Sequence, residues 1–471
     1  MSVTIETIKQ KILEQAMRGE LVEQDPNDEP VEILLEQIKE EKEKLIKEKK
    51  IKKQKPMQPI EEDEIPYELP KGWQWVRLGE VAELLNGRAY KKHELLDEGE
   101  GRTPVLRVGN FFTNNSWYYS DLELSDDKYC DNGDLLYAWS ASFGPKIWNG
   151  GKVIYHYHIW KVNIFGGVSK QFLYFLLLKD VIDIKDVTTG STMIHVTKAN
   201  MEKRLFPLPP IQEQFRIAEK IKSLFSLCDK WEEEVTKQQN HLSVLRNKVL
   251  DDAMRGLLVE QDESDEPAEK LLEKIGEERE QLIKEKKIKK QKALPRIEED
   301  EIPYDIPENW SWVRFGDVSF NRDGERVPLS KSERESRSGK YDYYGASGVI
   351  DKIDDYIFNE SLLLIGEDGA NLIRRKTPIA FIAEGEYWVN NHAHVIDAME
   401  FTMLKFLEFY INSIDLKPYV TGTAQPKLNQ SSLNKILIAL PPLNEQKRIV
   451  EKIENIYEYI DQLEKHMVLP K

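Results

Sequence analysis

The chain carries one sequence frame twice, and this duplication constrains its fold more than any other feature of the sequence. Residues 11–81 match residues 248–318 without a gap at an offset of 237, with roughly two-thirds identity. A second match, between residues 206–235 and 438–467 at an offset of 232, contains the segments LPPIQEQFRIAEKI and LPPLNEQKRIVEKI. Repeats of this kind indicate repeated structural units, so we expect two equivalent frames, each interrupted by an insert.

The two offsets arrange the repeat on a circle. At an offset of 232 Lys471 corresponds to residue 239, and at an offset of 237 Met1 corresponds to residue 238. The C-terminal and N-terminal segments together therefore correspond to one central segment, roughly residues 210–254. We expect a circular pseudo-two-fold repeat in which the two terminal segments jointly repeat the central one.

The central segment is predicted to form a long helix. Ile221, Cys228, Val235, Leu242 and Val249 recur at intervals of seven, which is the spacing of one buried position in a coiled coil. Some neighbouring seam positions carry charged or amide side chains, so the predicted seam is long and imperfect. The terminal segments repeat the same spacing, and we expect helices there as well.

Two inserts lie between the frames and have little obvious similarity: residues 82–205 (insert 1) and residues 319–437 (insert 2). Short β-rich runs bounded by Gly and Asp, such as GDLLYAWSAS and SLLLIGEDGA, predict strands. The segments SKQFLYFLLLKDVI and MEFTMLKFLEFYINSI predict apolar helices that cover a sheet. The predicted fold class is therefore mixed α/β, with two globular domains and long helices.

These segments predict five domains along the chain. They are an N-terminal helical segment, a first globular domain, a central helical spacer, a second globular domain and a C-terminal spacer helix. The expected bounds are residues 1–55, 56–207, 208–292, 293–439 and 440–471.

The charge distribution bears on the partners that the chain can bind. A net charge of −16 disfavours a nucleic-acid ligand at first sight. However, insert 1 carries 15 Lys+Arg against 15 Asp+Glu, and insert 2 carries 14 against 17, so most of the negative charge lies in the frames. The two cysteines lack metal-ligand spacing. Because the sequence shows no signal peptide and no apolar run of membrane-spanning length, we expect a cytoplasmic protein.

These sequence features resemble the DNA specificity subunits of type I restriction–modification systems. The resemblance covers essentially the whole chain and rests on the duplicated LPPxxEQxRIxEKI segments, on WQWVRLGEV and WSWVRFGDV, and on the inserts between them. Within the inserts, YYGASGVID with WVNNHAHVI, and AWSASFGP with YHYHIWKV, are similar to strand motifs of that family's target-recognition domains. The specificity of the match lies in the order and duplication of these segments.

The resemblance implies sequence-specific DNA recognition. In that family two target-recognition domains lie at opposite ends of an antiparallel coiled-coil pair, and each reads one half of a bipartite DNA sequence. The implied partners are double-stranded DNA, two methyltransferase (modification) subunits and motor–nuclease (restriction) subunits. No cofactor is expected in this chain, whereas S-adenosylmethionine, ATP and Mg²⁺ are expected in the partner subunits. The alternative is a structural coiled-coil adaptor whose inserts bind proteins.

Helix geometry supports part of this interpretation independently. A helix of about 45 residues is roughly 68 Å long, and one turn of DNA spans about 34 Å. Domains held at the two ends of such a helix can contact half-sites one to two turns apart. Because the inserts differ in sequence, the two half-sites are expected to differ as well.

The sequence lacks the motifs of the catalytic partners. It contains no Asn/Asp-Pro-Pro-aromatic tetrad of an adenine methyltransferase and no GxxxxGK[ST] phosphate loop. The pairs His156/His158 and His392/His394 are spaced to lie on one side of a strand, and we assign them core or hydrogen-bonding roles rather than metal binding. We therefore expect no catalytic and no metal-binding residues.

Candidate DNA contacts are the basic, amide, hydroxyl and tyrosine side chains of loop-like stretches in both inserts, because these groups bind phosphates and base edges. In insert 1 they are Arg88, Tyr90, Lys91, Lys92, Asn114, Asn115, Ser116, Tyr118, Ser140, Ser142 and Lys146. In insert 2 they are Arg322, Arg326, Lys331, Arg334, Arg337, Lys340, Tyr343, Arg374, Arg375, Lys376, Thr423, Gln425 and Lys427. The stretch NRDGERVPLSKSERESRSGKYDYYG, predicted to be a long polar loop, carries seven of these residues.

Both frames also contain the basic run KEKKIKKQK. One interpretation is that its lysines contact DNA phosphates between the half-sites or anchor a partner. The other is that they are solvated helix ends, where cations complement the negative end of the helix dipole. The sequence alone favours the second interpretation. Near-neutral inserts and acidic frames also predict weak DNA binding by the isolated chain, because few phosphates would be neutralised.

Overall fold

The computed structural model describes residues 4–53, 57–140, 142–187, 196–422 and 425–467. Within these ranges the chain forms two compact units that divide between Val235 and Thr236. Unit 1 contains insert 1, unit 2 contains insert 2, and each unit has its own hydrophobic core. The five predicted domain bounds stay a prediction.

Unit 1 combines frame helices with an α/β insert. Its helices are α1 (Ile5–Met17), α2 (Val31–Lys47), α3 (Leu78–Val81), α4 (Val108–Thr113), α5 (Lys170–Val187), α6 (Lys198–Lys203) and the part of α7 (Ile211–Met254) up to Val235. Its strands are β1 (Gln74–Arg77), β2 (Ala82–Asn86), β3 (Thr103–Leu106), β4 (Tyr118–Ser120), β5 (Tyr129–Cys130), β6 (Leu135–Ala138), β7 (Gly144–Ile147), β8 (Val153–Tyr155), β9 (Ile159–Ile164) and β10 (Leu205–Leu208).

Unit 2 repeats this plan. Beside the rest of α7, its helices are α8 (Ala268–Lys284), α9 (Phe315–Val318), α10 (Lys331–Ser336), α11 (Asn371–Arg374), α12 (Phe401–Ser413), α13 (Gln430–Leu433) and α14 (Leu443–Met467). Its strands are β11 (Ser311–Arg314), β12 (Phe320–Asn321), β13 (Ser338–Gly345), β14 (Gly348–Ile353), β15 (Phe358–Asn359), β16 (Leu362–Gly366), β17 (Ala380–Ala383), β18 (Glu386–Val389), β19 (Ala393–Asp397) and β20 (Leu437–Leu440).

The two inserts share one sheet topology despite their unlike sequences. The sheets of insert 1 have the orders β2-β9-β6-β7 and β4-β3-β8-β5, and those of insert 2 have the orders β12-β19-β16-β17 and β14-β13-β18-β15. The central pair of the second sheet is parallel in both inserts, β3 with β8 and β13 with β18, while its outer pairs are antiparallel. The inserts are therefore two versions of one mixed α/β fold, which confirms the predicted fold class. They share this fold although their sequences have little obvious similarity to each other.

A two-stranded antiparallel sheet closes the base of each insert. Strand β1 pairs with β10, and β11 pairs with β20, in the same register relative to the frame repeats. The chain therefore enters and leaves each insert on adjacent strands. This geometry separates the variable insert from the repeated frame at one narrow connection.

The frame helices show the circular repeat through equivalent ion pairs. In unit 1 Lys9 of α1 pairs with Asp229 of α7 at 2.5 Å, and in unit 2 Arg246 of α7 pairs with Asp461 of α14. Lys9 and Arg246 are related by the offset of 237, and the two aspartates by the offset of 232. The pairing of α1 with α7 is thus repeated by the pairing of α7 with α14. The predicted heptad residues of α7 are buried except the half-buried Val235.

The repeated LPPxxEQ segment joins each insert to its frame helix through two buried polar side chains. Glu213 accepts a hydrogen bond from the indole N–H of Trp73 at 2.8 Å, and Glu445 accepts the equivalent bond from Trp310 at 2.9 Å. Burial raises the pKa of both glutamates, and the indole donors oppose this shift. The duplicated tryptophans and glutamates therefore form one repeated contact.

The neighbouring glutamines cap the turn that precedes each helix. The side-chain amide of Gln214 donates to the carbonyl of Pro209, and that of Gln446 donates to the carbonyl of Pro441, both at 2.9 Å. Both glutamines are fully buried. Both prolines are buried, so each glutamine amide supplies the hydrogen-bond donor that the buried proline carbonyl in the strand-to-helix turn requires.

The described part of the chain contains neither a membrane-spanning helix nor a cluster of metal-binding side chains. None of the described helices is long and apolar enough to cross a membrane. The described residues also contain no group of three or more His, Cys, Asp or Glu side chains arranged to hold a metal ion.

Candidate nucleic-acid interface

Insert 1 contains a polar cleft of about 370 Å³. It is formed by α4, by the loop from α4 to β4, and by the turn between β8 and β9. Its lining combines a guanidinium, amides, hydroxyls and imidazoles, which are the groups that bind base edges and phosphates. The lining residues are Arg107, Val108, Gly109, Asn110, Thr113, Asn115, Ser116, Tyr118, His156 and His158.

The backbone around α4 shapes this cleft. Asn110 accepts a hydrogen bond from the backbone N–H of Arg107 at 2.7 Å and donates to the carbonyl of Val105 at 3.1 Å, which fixes the start of the helix. Asn114 ends the helix in a left-handed conformation (φ 57°), and Ser116 has the same φ. Asparagine tolerates this conformation better than most residues do. These turns bring the predicted Asn115, Ser116 and Tyr118 to the cleft.

Arg107 is the one arginine or lysine of the cleft lining, and it is not among the residues predicted from the sequence. Its half-buried guanidinium lies over the Tyr118 ring, 5.2 Å from the centroid. Among the described carboxylates none forms an ion pair with it. Arg107 lies in the short run VLRVGN, between Leu106 and Val108. The available signal was an isolated arginine flanked by apolar residues, a position that usually requires a partner.

The two histidines of the cleft lie in the turn between β8 and β9, not side by side on one strand as predicted. Their rings are 4.8 Å apart, and Tyr90 stacks against His156 at 6.3 Å. Burial, followed by the neighbouring His158 and Arg107, lowers the pKa of His156 to about 4. His156 is therefore neutral at physiological pH, so that one ring nitrogen donates and the other accepts a hydrogen bond.

The predicted NGRAYKKHE loop borders this site but offers fewer free cations than expected. Arg88 binds Glu94 through two hydrogen bonds of 2.8 and 3.2 Å. The Tyr90 hydroxyl donates to the carbonyl of Tyr155 at 3.3 Å. Lys91 and Lys92 are exposed. The loop thus presents two lysines, while its arginine is engaged within the insert.

The WSASFGPK residues are placed less favourably for a ligand. Ser140 is buried, and the Lys146 ammonium group donates to the carbonyl of Phe111 at 2.7 Å. Ser142 is exposed. Of this predicted set, only Ser142 lies free at the surface.

Insert 2 has the equivalent turn, between β18 and β19, with different side chains beside it. The carbonyl of His158 accepts a hydrogen bond from the N–H of Trp139 at 3.0 Å in insert 1, and the carbonyl of His392 accepts one from the N–H of Glu367 at 2.8 Å in insert 2. Both pairs join the turn between equivalent strands to the end of the neighbouring strand. The position held by an indole in insert 1 is therefore held by a carboxylate in insert 2.

The carboxylate of Glu367, beside this turn, forms ion pairs with two cations of insert 2. Glu367 pairs with Arg326 at 2.9 Å and with Lys427 at 3.1 Å. Burial alone would raise the pKa of Glu367, but Arg326, the buried His394 and Lys427 together hold it below its usual value. His394 hydrogen-bonds Asp323 at 2.6 Å, in agreement with its predicted core role. The guanidinium of Arg326, a predicted DNA contact, is therefore paired with Glu367 inside the insert.

The stretch predicted as one long polar loop in insert 2 is largely structured, so that prediction was wrong. It contains α10, β13 and a short 3-10 turn at Asp323–Glu325. Its arginines lie within reach of carboxylates on neighbouring turns and strands, which order the backbone. Arg322 pairs with Glu325 at 2.7 Å and Arg334 pairs with Asp351 at 3.0 Å.

The remaining candidates of insert 2 divide by accessibility. Arg337 pairs with Asp354 at 2.8 Å, and Tyr343 is fully buried with its hydroxyl against residue Leu329. The Arg375 guanidinium donates to the carbonyl of Ile414 at 2.7 Å. Exposed at the surface are Lys331, Lys340, Arg374, Lys376, Gln425 and Lys427. Thr423 lies outside the described residues.

Comparison with known proteins follows the same division into two inserts. A family model described as the type I restriction modification DNA specificity domain matches residues 70–239 and again residues 307–467. The chain is 28% identical to the type I restriction enzyme EcoAI specificity subunit of Escherichia coli, over 98% of this chain and 90% of that protein. It is 27% identical to the EcoEI specificity subunit of Escherichia coli, over 98% of this chain and 91% of that protein.

One solved structure has a similar fold. It comes from work on complex assembly and conformational transition of the type I R-M system, and its TM-score is 0.60 at 16% identity. The match covers 85% of this chain and 94% of the other.

Proposed function

The chain belongs to the type I restriction modification DNA specificity family, and from this premise we propose that its two inserts read the two halves of one asymmetric DNA target. It is the specificity subunit of a type I restriction–modification system. Its inserts recognise DNA, and its frame helices set the spacing between the two half-sites and bind the partner subunits.

The observation that carries this proposal is the shared topology of two inserts with unlike surfaces. Both inserts use the same sheets and the same turn, yet the position held by Trp139 in one is held by Glu367 in the other. A repeated scaffold with different side chains at equivalent positions suits two readers of different sequences. Carboxylates accept hydrogen bonds from cytosine amino groups, whereas guanidinium groups bind guanine.

In insert 1 we assign base reading to the polar cleft. Arg107 offers a guanidinium without a carboxylate partner among the described residues. His156 accepts the backbone N–H of His158 at its Nδ1 at 3.4 Å, so its neutral ring offers the Nε2–H as a donor. Asn115, Ser116 and Tyr118 form the adjoining wall. The exposed Lys91 and Lys92 suit phosphates beside the cleft.

In insert 2 we assign the interface to the surface around the equivalent turn. Lys427 is half-exposed beside the ionised Glu367, and Gln425 is exposed near it. Lys331, Lys340, Arg374 and Lys376 are exposed cations suited to phosphates. Three arginines of this surface form ion pairs with carboxylates, so we assign them a structural role: Arg322, Arg334 and Arg337.

The proposed partners are double-stranded DNA, two methyltransferase subunits and motor–nuclease subunits. We propose that the chain itself is not catalytic and that S-adenosylmethionine, ATP and Mg²⁺ are bound by the partners. Support comes from its membership of a family of specificity domains and from the sequence, which lacks the methyltransferase tetrad and the phosphate loop.

Arg107→Ala tests this assignment. A guanidinium that binds a base edge contributes about 1–3 kcal/mol of discrimination, so we expect the assembled complex to bind its target about 10- to 100-fold more weakly. Binding to unrelated DNA should change far less. The measurement is the affinity for both DNAs at one fixed salt concentration.

Arg102→Ala is the matched control. Arg102 lies in the same insert, pairs with Asp121 at 3.0 Å and is not part of the cleft lining. Its removal should leave the ratio of specific to non-specific affinity unchanged. Equal effects of the two substitutions would contradict the assignment of Arg107 to base reading.

A further inference from the structure

The basic run of the second frame borders a second cleft in unit 2. This cleft has a volume of about 360 Å³ and lies between residues 286–291, which we call the lysine strap, and the beginning of insert 2. Its lining residues are Lys286, Lys287, Ile288, Lys289, Lys290, Gln291, Asn321, Arg322, Gly324, Glu325 and Gln430. The strap thus follows the end of α8 and also lies beside the first residues of insert 2.

The strap leaves α8 through a defined turn. Lys286 adopts a left-handed conformation with φ 59°, and the N–H of Lys287 bonds to the carbonyl of Leu282 at 2.9 Å. This is the kind of bond that closes a helix C-terminus. Ile288 then packs against the hydrophobic core of unit 2. The apolar anchor in the middle of the strap turns the lysines on both sides of it towards solvent.

The half-buried Arg279 hydrogen-bonds both the strap and the base of the insert. Arg279 donates to the carbonyls of Gly316 and Asp317, both at 2.8 Å, and to the side chain of Gln291 at 3.4 Å. Burial lowers the pKa of Arg279, and the neighbouring Asp317 opposes this shift. One guanidinium therefore bonds both Gln291 of the strap and the backbone at the base of insert 2.

The charges of the cleft favour an anion. Lys286, Lys289 and Lys290 are exposed, and within the described residues no carboxylate pairs with them. Lys287 pairs with Glu285 at 2.9 Å. The single acidic group of the lining, Glu325, is held by two hydrogen bonds from Arg322 of 2.7 and 2.8 Å. Three lysines therefore remain for a negatively charged ligand.

The helix dipole does not account for all of these cations. Its effect falls off within the last helical turn, and α8 ends at Lys284. Lys289 and Lys290 lie several residues beyond that end and project from an irregular segment. Their placement on the cleft wall is thus an additional feature of the fold.

We propose that the lysine strap binds the sugar–phosphate backbone of the DNA beside the half-site that insert 2 reads. This inference rests on the proposed function. DNA is the partner that fits, because three unpaired lysines complement phosphates and because the cleft is continuous with the beginning of the recognition insert. Flexible ammonium groups bind phosphates without reading bases, so the strap adds affinity but no sequence preference.

The test is the triple substitution K286A/K289A/K290A in the full chain, assembled with its methyltransferase subunits. Each lost phosphate contact reduces the slope of log affinity against log salt by about 0.9, so three contacts reduce it by about 2.7. The affinity at low salt should fall at least about tenfold for target and unrelated DNA alike. The methylated sequence should stay the same.

The triple substitution K270A/K274A/K447A is the charge-matched control. These lysines also belong to unit 2, but each pairs with a carboxylate, Glu273, Glu266 and Glu400 respectively. We expect the control to keep the wild-type slope. A strap variant whose slope equals that of the control would overturn the proposal.

Two further outcomes are distinguishable. Loss of the methyltransferase subunits from the purified strap variant, with the control complex intact, would show that the strap binds protein and would overturn the DNA assignment. If the wild-type complex bound target and unrelated DNA equally, the proposed function would fail. The comparison of salt slopes would still decide in that case whether the strap contacts phosphates.

Discussion

Exchanging insert 1 for the corresponding insert of a relative with a different target is expected to replace one half of the recognised DNA sequence and to leave the other half unchanged. The fold supports this exchange because β1 and β10 pair at the base of the insert. The residues taken from the relative would therefore lie between two paired strands that belong largely to the frame of this chain. The frame contact of Trp73 with Glu213 lies outside the exchanged residues 82–205.

The expected effect is large. Each mismatched base pair costs about 1–3 kcal/mol, so a half-site of several bases changes the preference by at least about 10³-fold. The new target sequence is measured by mapping methylated adenines in the genome of a host that carries the exchanged chain. The reciprocal exchange of residues 319–437 is the control and should alter the opposite half. If both exchanges altered the same base pairs, the modular account would be wrong.

Inserting one helical turn into α7 is expected to lengthen the gap between the half-sites without changing either half. Four residues add about 6 Å to a helix, which corresponds to about two base pairs at a rise of 3.4 Å. The junction between Val235 and Thr236 is the suitable place. Lys9 pairs with α7 before this point, and Asp461 pairs with α7 after it, so both pairings are retained.

A flexible insertion of equal length at the same junction is the control. Four Gly and Ser residues should permit several spacings rather than one longer spacing, because such a linker is not a rigid spacer. The methylated motif again provides the measurement. An unchanged gap after insertion of the helical turn would contradict the role of α7 as the spacer.

The sequence predicted the frame better than it predicted the inserts. Repeats at fixed offsets and a heptad spacing identify helices directly, and Ile221 and Val249 are buried as the spacing requires. The role of the EQ pair was not predicted, since the partners of Glu213 and Gln214 depend on tertiary contacts. The common topology of the inserts also escaped prediction, because strand order is not encoded in local patterns.

Local amino-acid composition was a poor guide to which basic residues are available to bind DNA. The arginine-rich stretch of insert 2 looked like the best DNA-binding loop, yet Arg322, Arg334 and Arg337 are bound by carboxylates from other parts of the chain. Arg107 was overlooked because its neighbours in sequence are apolar. It reaches the cleft only through the fold of α4 and the turn at His156. Pairing and exposure decide which cations are free, and neither can be read from a single sequence.

The most direct test of the central claim is the mapping of methylated adenines in the genome of a host with and without this chain, with the partner subunits kept in both. We expect one asymmetric bipartite motif to be methylated when the chain is present and to lose methylation throughout the genome when it is absent. An unchanged methylation pattern, or the loss of a single uninterrupted motif, would contradict the account.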